Sequence, residues 1–201
     1  MAGLKRYTQL PQLLHILQTR TITFLSPMIW DDKNDSYFIE KYKKDKGIKS
    51  VLALCMTNSA ATYHHWHVFA GNISGVRIEF HEPAFREWAN SIGADFQKVN
   101  YLKLDKADQN KIPLENLPFT KRFAFRDEGE VRLIVNEDID LTAKSFPFDY
   151  SLIKEIVLSP WLPEELYTSV ESAIRMVSQG ATFNIRRTTM LANGKWQGAG
   201  Q

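Results

Sequence analysis

Apolar and polar positions change their period repeatedly along this chain, and each change marks a new element. Residues 4–7 read as a short first strand. In residues 9–19, Leu10, Leu13, Leu14 and Leu17 recur at helical spacing, with Pro11 tolerated in the first turn. Residues 21–25 are β-branched and aromatic and predict a strand, stopped by Ser26 and Pro27. Residues 30–35 form a polar, turn-forming run, and 37–46 read as a charged helix or a mobile excursion. Residues 49–57 are a hydrophobic strand. Residues 60–70 are a short helix with Trp66 and Phe69 entering the core and a polar rim lining a pocket.

The second half repeats this alternation. Residues 76–80 alternate cleanly, with Val76, Ile78 and Phe80 on one face and Arg77 and Glu79 on the other. Residues 83–92 predict an amphipathic helix carrying Phe85 and Trp88 and closed by Gly93. Residues 96–102 read as a strand, and 104–118 as a polar connector with one helical turn. Residues 131–135 are the clearest short strand, largely buried. Residues 139–141 predict an edge strand, and 153–158 a strand ended by Ser159 and Pro160. In the helix predicted over 163–178, Leu166, Val170, Ile174 and Val177 recur, and residues 182–188 close the pattern as a last strand. Strands alternate with unequal helices, and several strands follow one another directly. That order predicts an α+β fold, a single mixed, mainly antiparallel sheet with flanking helices, over a doubly wound sheet. Residues 1–192 read as one globular domain and 193–201 as a flexible Gly-rich tail.

Composition narrows the class. The chain has 201 residues, and its 12 Phe, 7 Tyr and 5 Trp are ample for a real core. A net charge of +2 neither demands nor excludes nucleic acid. The single cysteine, Cys55, excludes an internal disulfide, and its apolar neighbours predict a buried, inert thiol. No signal-peptide core or membrane span is evident, which predicts a cytoplasmic protein.

No phosphate loop, nucleophile elbow, zinc signature or dinucleotide fingerprint occurs. Chemistry must therefore come from dispersed residues. Glu128 and Glu130 lie two apart at the mouth of the 131–135 strand. If the strand begins that early, both carboxylates share a face with Arg132 following. His64 and His67 are three apart, without the partners a zinc site needs, and no metal is expected. Asp31, Asp32, Asp35 and Glu130 are the acidic set a metal-dependent nuclease would draw on, but a solvated turn accounts better for the three aspartates.

Read together, several segments resemble a bacterial family of unknown function, the one numbered 2971. They are Lys5-Arg6-Tyr7; Phe24-Leu25-Ser26-Pro27 with Asn34-Asp35; residues 66–80; Glu128-Gly129-Glu130-Val131-Arg132; and the strand-Pro-helix unit 153–177. Two positions depart from it: the histidine after Trp66 comes one place early, at His67, and Ser36 stands where proline usually follows Asn-Asp. More distantly, the order Arg6, Ser26, Glu128-x-Glu130 is similar to that of the ADP-ribosyltransferase superfamily. The resemblance implies NAD as substrate, Glu130 and Glu128 as catalytic residues, and Arg6, Tyr7 and Ser26 at the cofactor. Tyr63, Trp66 and His67 join that set, with the aromatic rings able to stack on nicotinamide or adenine. It further implies a toxin or defence effector whose acceptor is a protein or a nucleic acid. The alternative is a non-catalytic nucleotide- or partner-binding module, in which Arg6, His64, His67 and Arg132 hold a phosphate-bearing ligand.

Overall fold

A computed structural model describes residues 3–109 and 111–200. The expected domain and tail also take in residues 1, 2, 110 and 201, which lie outside the described residues. In chain order the elements are β1 (Leu4–Gln9), α1 (Leu10–Thr19), β2 (Thr21–Leu25), α2 (Lys33–Lys46), β3 (Ser50–Thr57), α3 (Tyr63–His65), β4 (Gly75–Phe80) and α4 (Glu82–Ser91). There follow β5 (Asp95–Lys98), β6 (Asn100–Leu102), α5 (Leu104–Gln109), β7 (Thr120–Arg122), β8 (Glu130–Glu137), β9 (Ala143–Pro147), β10 (Ile153–Leu158), α6 (Glu164–Val177), β11 (Asn184–Arg187) and α7 (Gly194–Gly198). The fold is α+β, with a mixed, mainly antiparallel sheet and flanking helices.

The chain divides into two compact units. One comprises Met1–Thr21, Ala60–Glu82 and Phe148–Gln201. Its strands run in the order β11-β10-β4-β1. β10 and β11 are parallel, while β4 is antiparallel to both β10 and β1. Strand alternation gives the sheet two faces. Leu4, Val76, Ile78, Phe80, Ile156 and Leu158 are buried on one of them. α1 packs on β1 and β4 and also meets α6. Lys5, Tyr7, Arg77, Glu79, Glu155 and Val157 share the other face. There Trp66 and Ala70 pack against Val157, with Tyr7, Trp161 and Met190 around them.

The other unit comprises Ile22–Ser59 and Pro83–Pro147. Its strands run β5-β8-β3-β2-β9, and a small parallel pair, β6-β7, lies apart from them. β3 and β8 pair antiparallel over their full lengths, from Ser50 opposite Glu137 to Thr57 opposite Glu130. On one face Val51, Ala53 and Ile134 meet Ile39 and Tyr42 of α2, together with Leu117 and Phe119. Asp32 caps α2, its Oδ1 accepting from the Asn34 and Asp35 amides at 3.0 and 3.4 Å. Ser36 Oγ donates to Pro27 O at 3.0 Å and ties the same turn to the end of β2.

Several local expectations are corrected. The polar run 30–35 is not all solvated turn: Asp35 lies in α2 and is 2% exposed. Residues 60–70 are not one helix. α3 is a single turn that widens into a π-turn at Trp66–Ala70, ended by Gly71. Trp66 is buried as expected, but Phe69 is exposed, because the wider turn rotates the side chains that follow it. Cys55 is exposed rather than buried. It falls on the α2 side of the sheet opposite Arg132, at a position the apolar run Val51–Met56 could not distinguish from its neighbours. Residues 139–141 are no strand: Ser50 Oγ donates to Ile139 O and accepts from the Leu141 amide, and the edge strand comes later as β9. Residues 96–102 break at Val99 into β5 and β6. Leu166 is exposed on α6, whose buried residue is Ile174.

The entry into β8 turns on Gly129. Its φ of 52° is left-handed, and an added Cβ would collide with Ser59 Oγ and stand 2.9 Å from Ser59 Cβ. Gly129→Ala is expected to lower stability by about 1–3 kcal/mol, read by chemical denaturation. Adding Ser59→Gly should recover the collision but not the backbone strain.

Candidate active site

β8 does not begin at Glu128. Residues 123–128 form a 3-10 turn that ends in left-handed Gly129, and Glu130 is the first residue of the strand. Glu130 and Arg132 therefore share a face by alternation, whereas Glu128 reaches the same neighbourhood from the turn. The meeting point is Lys121 on β7. Its Nζ donates to Glu128 Oε2 at 2.6 Å, lies 3.5 Å from Glu130 Oε2, and is 3.8 Å from Asp35 Oδ2.

Arg132 is the centre of this cluster and is fully buried. Nε donates to Glu130 Oε1 at 2.7 Å, and Nη2 to Glu130 Oε2 at 2.9 Å. Nη1 and Nη2 donate to the two Asp35 oxygens at 2.8 and 2.7 Å. Nη1 also donates to Pro118 O at 2.7 Å. The Trp30 ring covers the guanidinium, 4.7 Å from its centroid. Around Glu130, the Tyr101 hydroxyl accepts the Glu130 amide at 2.8 Å, and Thr57 Oγ1 donates to Gly129 O at 3.0 Å.

The charges follow from these contacts. Burial pushes the Glu130 carboxyl up, but Arg132 and then Lys121 more than offset it, so its pKa lies below the ordinary value. Burial wins at Asp35, whose pKa is raised despite Arg132, and at Glu128, raised despite Lys121. Burial alone would lower Lys121. The carboxylates of Glu130 and Glu128 outweigh it and push Lys121 up to about 12. Burial pushes the Tyr101 phenol up to about 12 as well. At neutral pH the site is thus an ionised, fixed carboxylate, Glu130, beside a second carboxylate tied to a lysine.

Ser26 belongs to the same unit. Its hydroxyl accepts from the Met28 amide at 3.4 Å and caps the short turn at Pro27–Ile29. It connects to the cluster through Pro27, which Ser36 holds next to Asp35.

The remaining predicted residues lie in the other unit and form two groups. Tyr7 stacks on His65 at 5.5 Å and meets Trp66 edge-on at 5.2 Å. His65 is buried, and its Nδ1 lies 2.7 Å from Thr62 Oγ1. The buried Trp66 Nε1 has no hydrogen-bond partner among the described residues. Tyr63, 53% exposed, stacks on His67 at 5.7 Å and meets Trp161 edge-on at 5.8 Å. Arg6 points to the opposite sheet face from Tyr7, as neighbours on a strand must. His64 touches His65 and Phe69, whereas His67 touches Tyr63 and Trp161, so the two histidines do not converge. Among the described residues no group of three or more His, Cys, Asp or Glu side chains is placed to hold a metal, and no helix is long and apolar enough to cross a membrane.

Lys121, Tyr101 and Trp161 are not among the residues the sequence singles out, and Asp35 enters there only with the acidic set of a metal-dependent nuclease. Only Asp35 left a signal: Asp35, Ile39 and Tyr42 recur at helical spacing, marking one buried face of α2. Lys121, Tyr101 and Trp161 reach their places through tertiary pairing.

No family model matches the chain, so the resemblance to family 2971 rests on the motifs alone, and no curated protein matches it either. Among solved structures it is similar to Thermus sp. 2.9 DarT in complex with ADP-ribosylated ssDNA, with a TM-score of 0.48 at 11% identity over 93% of this chain and 94% of that one. The same protein in complex with NAD+ gives 0.47 at 11% identity, covering 93% and 95%. In complex with carba-NAD+ it gives 0.45 at 12% identity, again covering 93% and 95%.

The cluster predicts an alkaline limit. Lys121 and Tyr101 hold their protons more tightly folded than at their ordinary values of 10.5 and 10.0. The stability they contribute is therefore fully present below about pH 10 and lost as pH rises through about 12. The melting temperature should fall across that window, and less steeply in Lys121→Met, as a pH series of thermal melts will show.

Proposed function

We propose that this protein is an NAD-consuming, ADP-ribosyltransferase-like enzyme with Glu130 as its catalytic carboxylate. The observation that carries this reading is the state of Glu130. It stands at the first position of β8, ionised and held at both oxygens by Arg132. Cleavage of the bond between ribose C1′ and the nicotinamide nitrogen sends the bonding pair to that nitrogen and leaves positive charge on C1′ and the ring oxygen. A fixed carboxylate stabilises that charge and accepts a hydrogen bond from a ribose hydroxyl. Arg132 takes one lone-pair direction on each Glu130 oxygen, and Lys121 approaches Oε2 as well, at 3.5 Å. The acceptor then bonds to C1′ and loses its proton to solvent, with Glu128 orienting it. Ser26 supports the nicotinamide end. Taken separately, the other unit's stack of Tyr63 on His67 is an exposed surface on which a planar ring can lie. Trp66 backs that region from the core. The acceptor is a protein or a nucleic acid, and the setting is that of a cytoplasmic toxin or defence effector.

One observation favours the second reading, a non-catalytic nucleotide- or partner-binding module. Glu130 is only 6% exposed, and the same Arg132 bonds would serve a purely structural network.

Incubation of the purified protein with NAD, with and without candidate acceptors, is expected to release nicotinamide. Glu130→Gln should reduce the rate about 10²–10³-fold while keeping the circular dichroism spectrum of the wild type. Equal release from the two proteins, or none from either, selects the module reading.

A further inference from the structure

We infer that Asp35 is a positioning residue for Glu130, acting through Arg132. The inference rests on the catalytic reading of Glu130 and extends it to a residue 97 positions from Arg132 in the chain.

An arginine has five N–H donors in a rigid plane, and all five of Arg132 are used. Asp35 takes two in a fork, at 2.8 and 2.7 Å. Pro118 O takes a third, at 2.7 Å. These three bonds and the Trp30 ring leave the guanidinium one orientation. Its remaining edge, Nε and Nη2, then meets Glu130 at 2.7 and 2.9 Å. The plane and rotamer of the Glu130 carboxylate are thus copied from a guanidinium whose own plane Asp35 dictates.

Asp35 is itself well held. It sits in the first turn of α2, beneath the Asp32 cap. Ser36 beside it anchors to Pro27, and Ile39 and Tyr42 one and two turns on pack against Val51, Ala53 and Ile134. The relay therefore runs from a packed helix to Asp35, then Arg132, then Glu130.

Charge gives the relay a second effect. Arg132 shared between two carboxylates neutralises each only in part, which leaves more of the Glu130 charge to face a developing cation. The charged and titratable groups around Glu130 are Arg132 on its own strand, Lys121 from β7, Glu128 from the turn, Asp35 from α2, Cys55 from β3 and Tyr101 from β6. Asp35 is the one among them that shares Nη2 of Arg132 with Glu130.

The test is steady-state nicotinamide release as a function of pH. Asp35→Asn keeps the shape and removes the charge. It is expected to lower kcat about 10–100-fold with KM within about twofold, and to move the acid limb of kcat to lower pH, because Arg132 then serves Glu130 alone. Asp35→Glu keeps the charge and displaces it by one methylene; kcat should fall with the acid limb in place. In an Arg132→Lys background, Asp35→Asn should add little further loss, since the path it acts through is gone. A purely structural Asp35 would instead lower melting temperature while leaving kcat per folded molecule and the acid limb unmoved, and that result overturns the inference. Should Asp35→Asn fail to fold, wild-type kcat in Asp35→Glu overturns it. A wild-type protein that releases no nicotinamide overturns this inference together with the catalytic reading, whereas an active wild type with an indifferent Asp35 overturns this one alone.

Discussion

Arg132 carries no solvent exposure, and its five donors are all spent on three partners, Glu130 on its own strand and the more distant Pro118 and Asp35. Burying a guanidinium and two carboxylates costs several kcal/mol per ion before any attraction is counted. That cost is offset only when every hydrogen bond is made, so the geometry is strict. It decides where α2 sits on the β3–β8 pair, where the chain passes at Pro118, and which way Glu130 points. A surface ion pair of the same residues would contribute about 0–1 kcal/mol and decide none of these.

The other unit uses charge differently. On its sheet face Arg77 bridges Glu79 and Glu155 at 3.3 and 2.8 Å, Lys154 reaches Glu79, and Arg186 forks onto Glu155. Lys5 is buried on that face, and burial pushes its pKa down. Several of these partners open to solvent, as Lys154 and Arg186 do. The network tolerates looser geometry, and beside it the aromatic side chains of Tyr7, His65 and Trp66 supply the packing. A ring stack with an exposed Tyr63 suits a planar ligand, while the strict network around Glu130 suits a charge that must not move.

Much of the chemistry-bearing sequence was legible because charge and apolar runs were juxtaposed. Glu130 and Arg132, two apart at the head of an apolar run, had to share a face once the strand formed. Glu128 looked equivalent to Glu130 by the same spacing. It is not, because left-handed Gly129 ends the preceding turn and starts the strand one residue later than the carboxylate spacing suggests. Arg6 and Tyr7 were grouped as neighbours in sequence, yet strand alternation separates them onto two faces. Cys55 shows the converse limit: a strand apolar on both sides carries no period, so its covered and uncovered positions look alike.

By itself, then, the sequence determined the α+β alternation, the principal strands and helices, and the register logic that puts Glu130 beside Arg132. Those follow from periodicity and from pairs two or four residues apart, which local geometry governs. The tertiary structure alone decided that Asp35 leaves the surface to join them, that Lys121 ties Glu128 to Glu130, and that Trp161 closes on Tyr63 and His67. Asp35 and Trp161 lie more than ninety residues from these partners and Lys121 seven and nine from its glutamates, none at a spacing that local strand or helix geometry fixes, so only the packing of α2, the crossing of β7 and the turn after β10 bring the side chains within bonding reach.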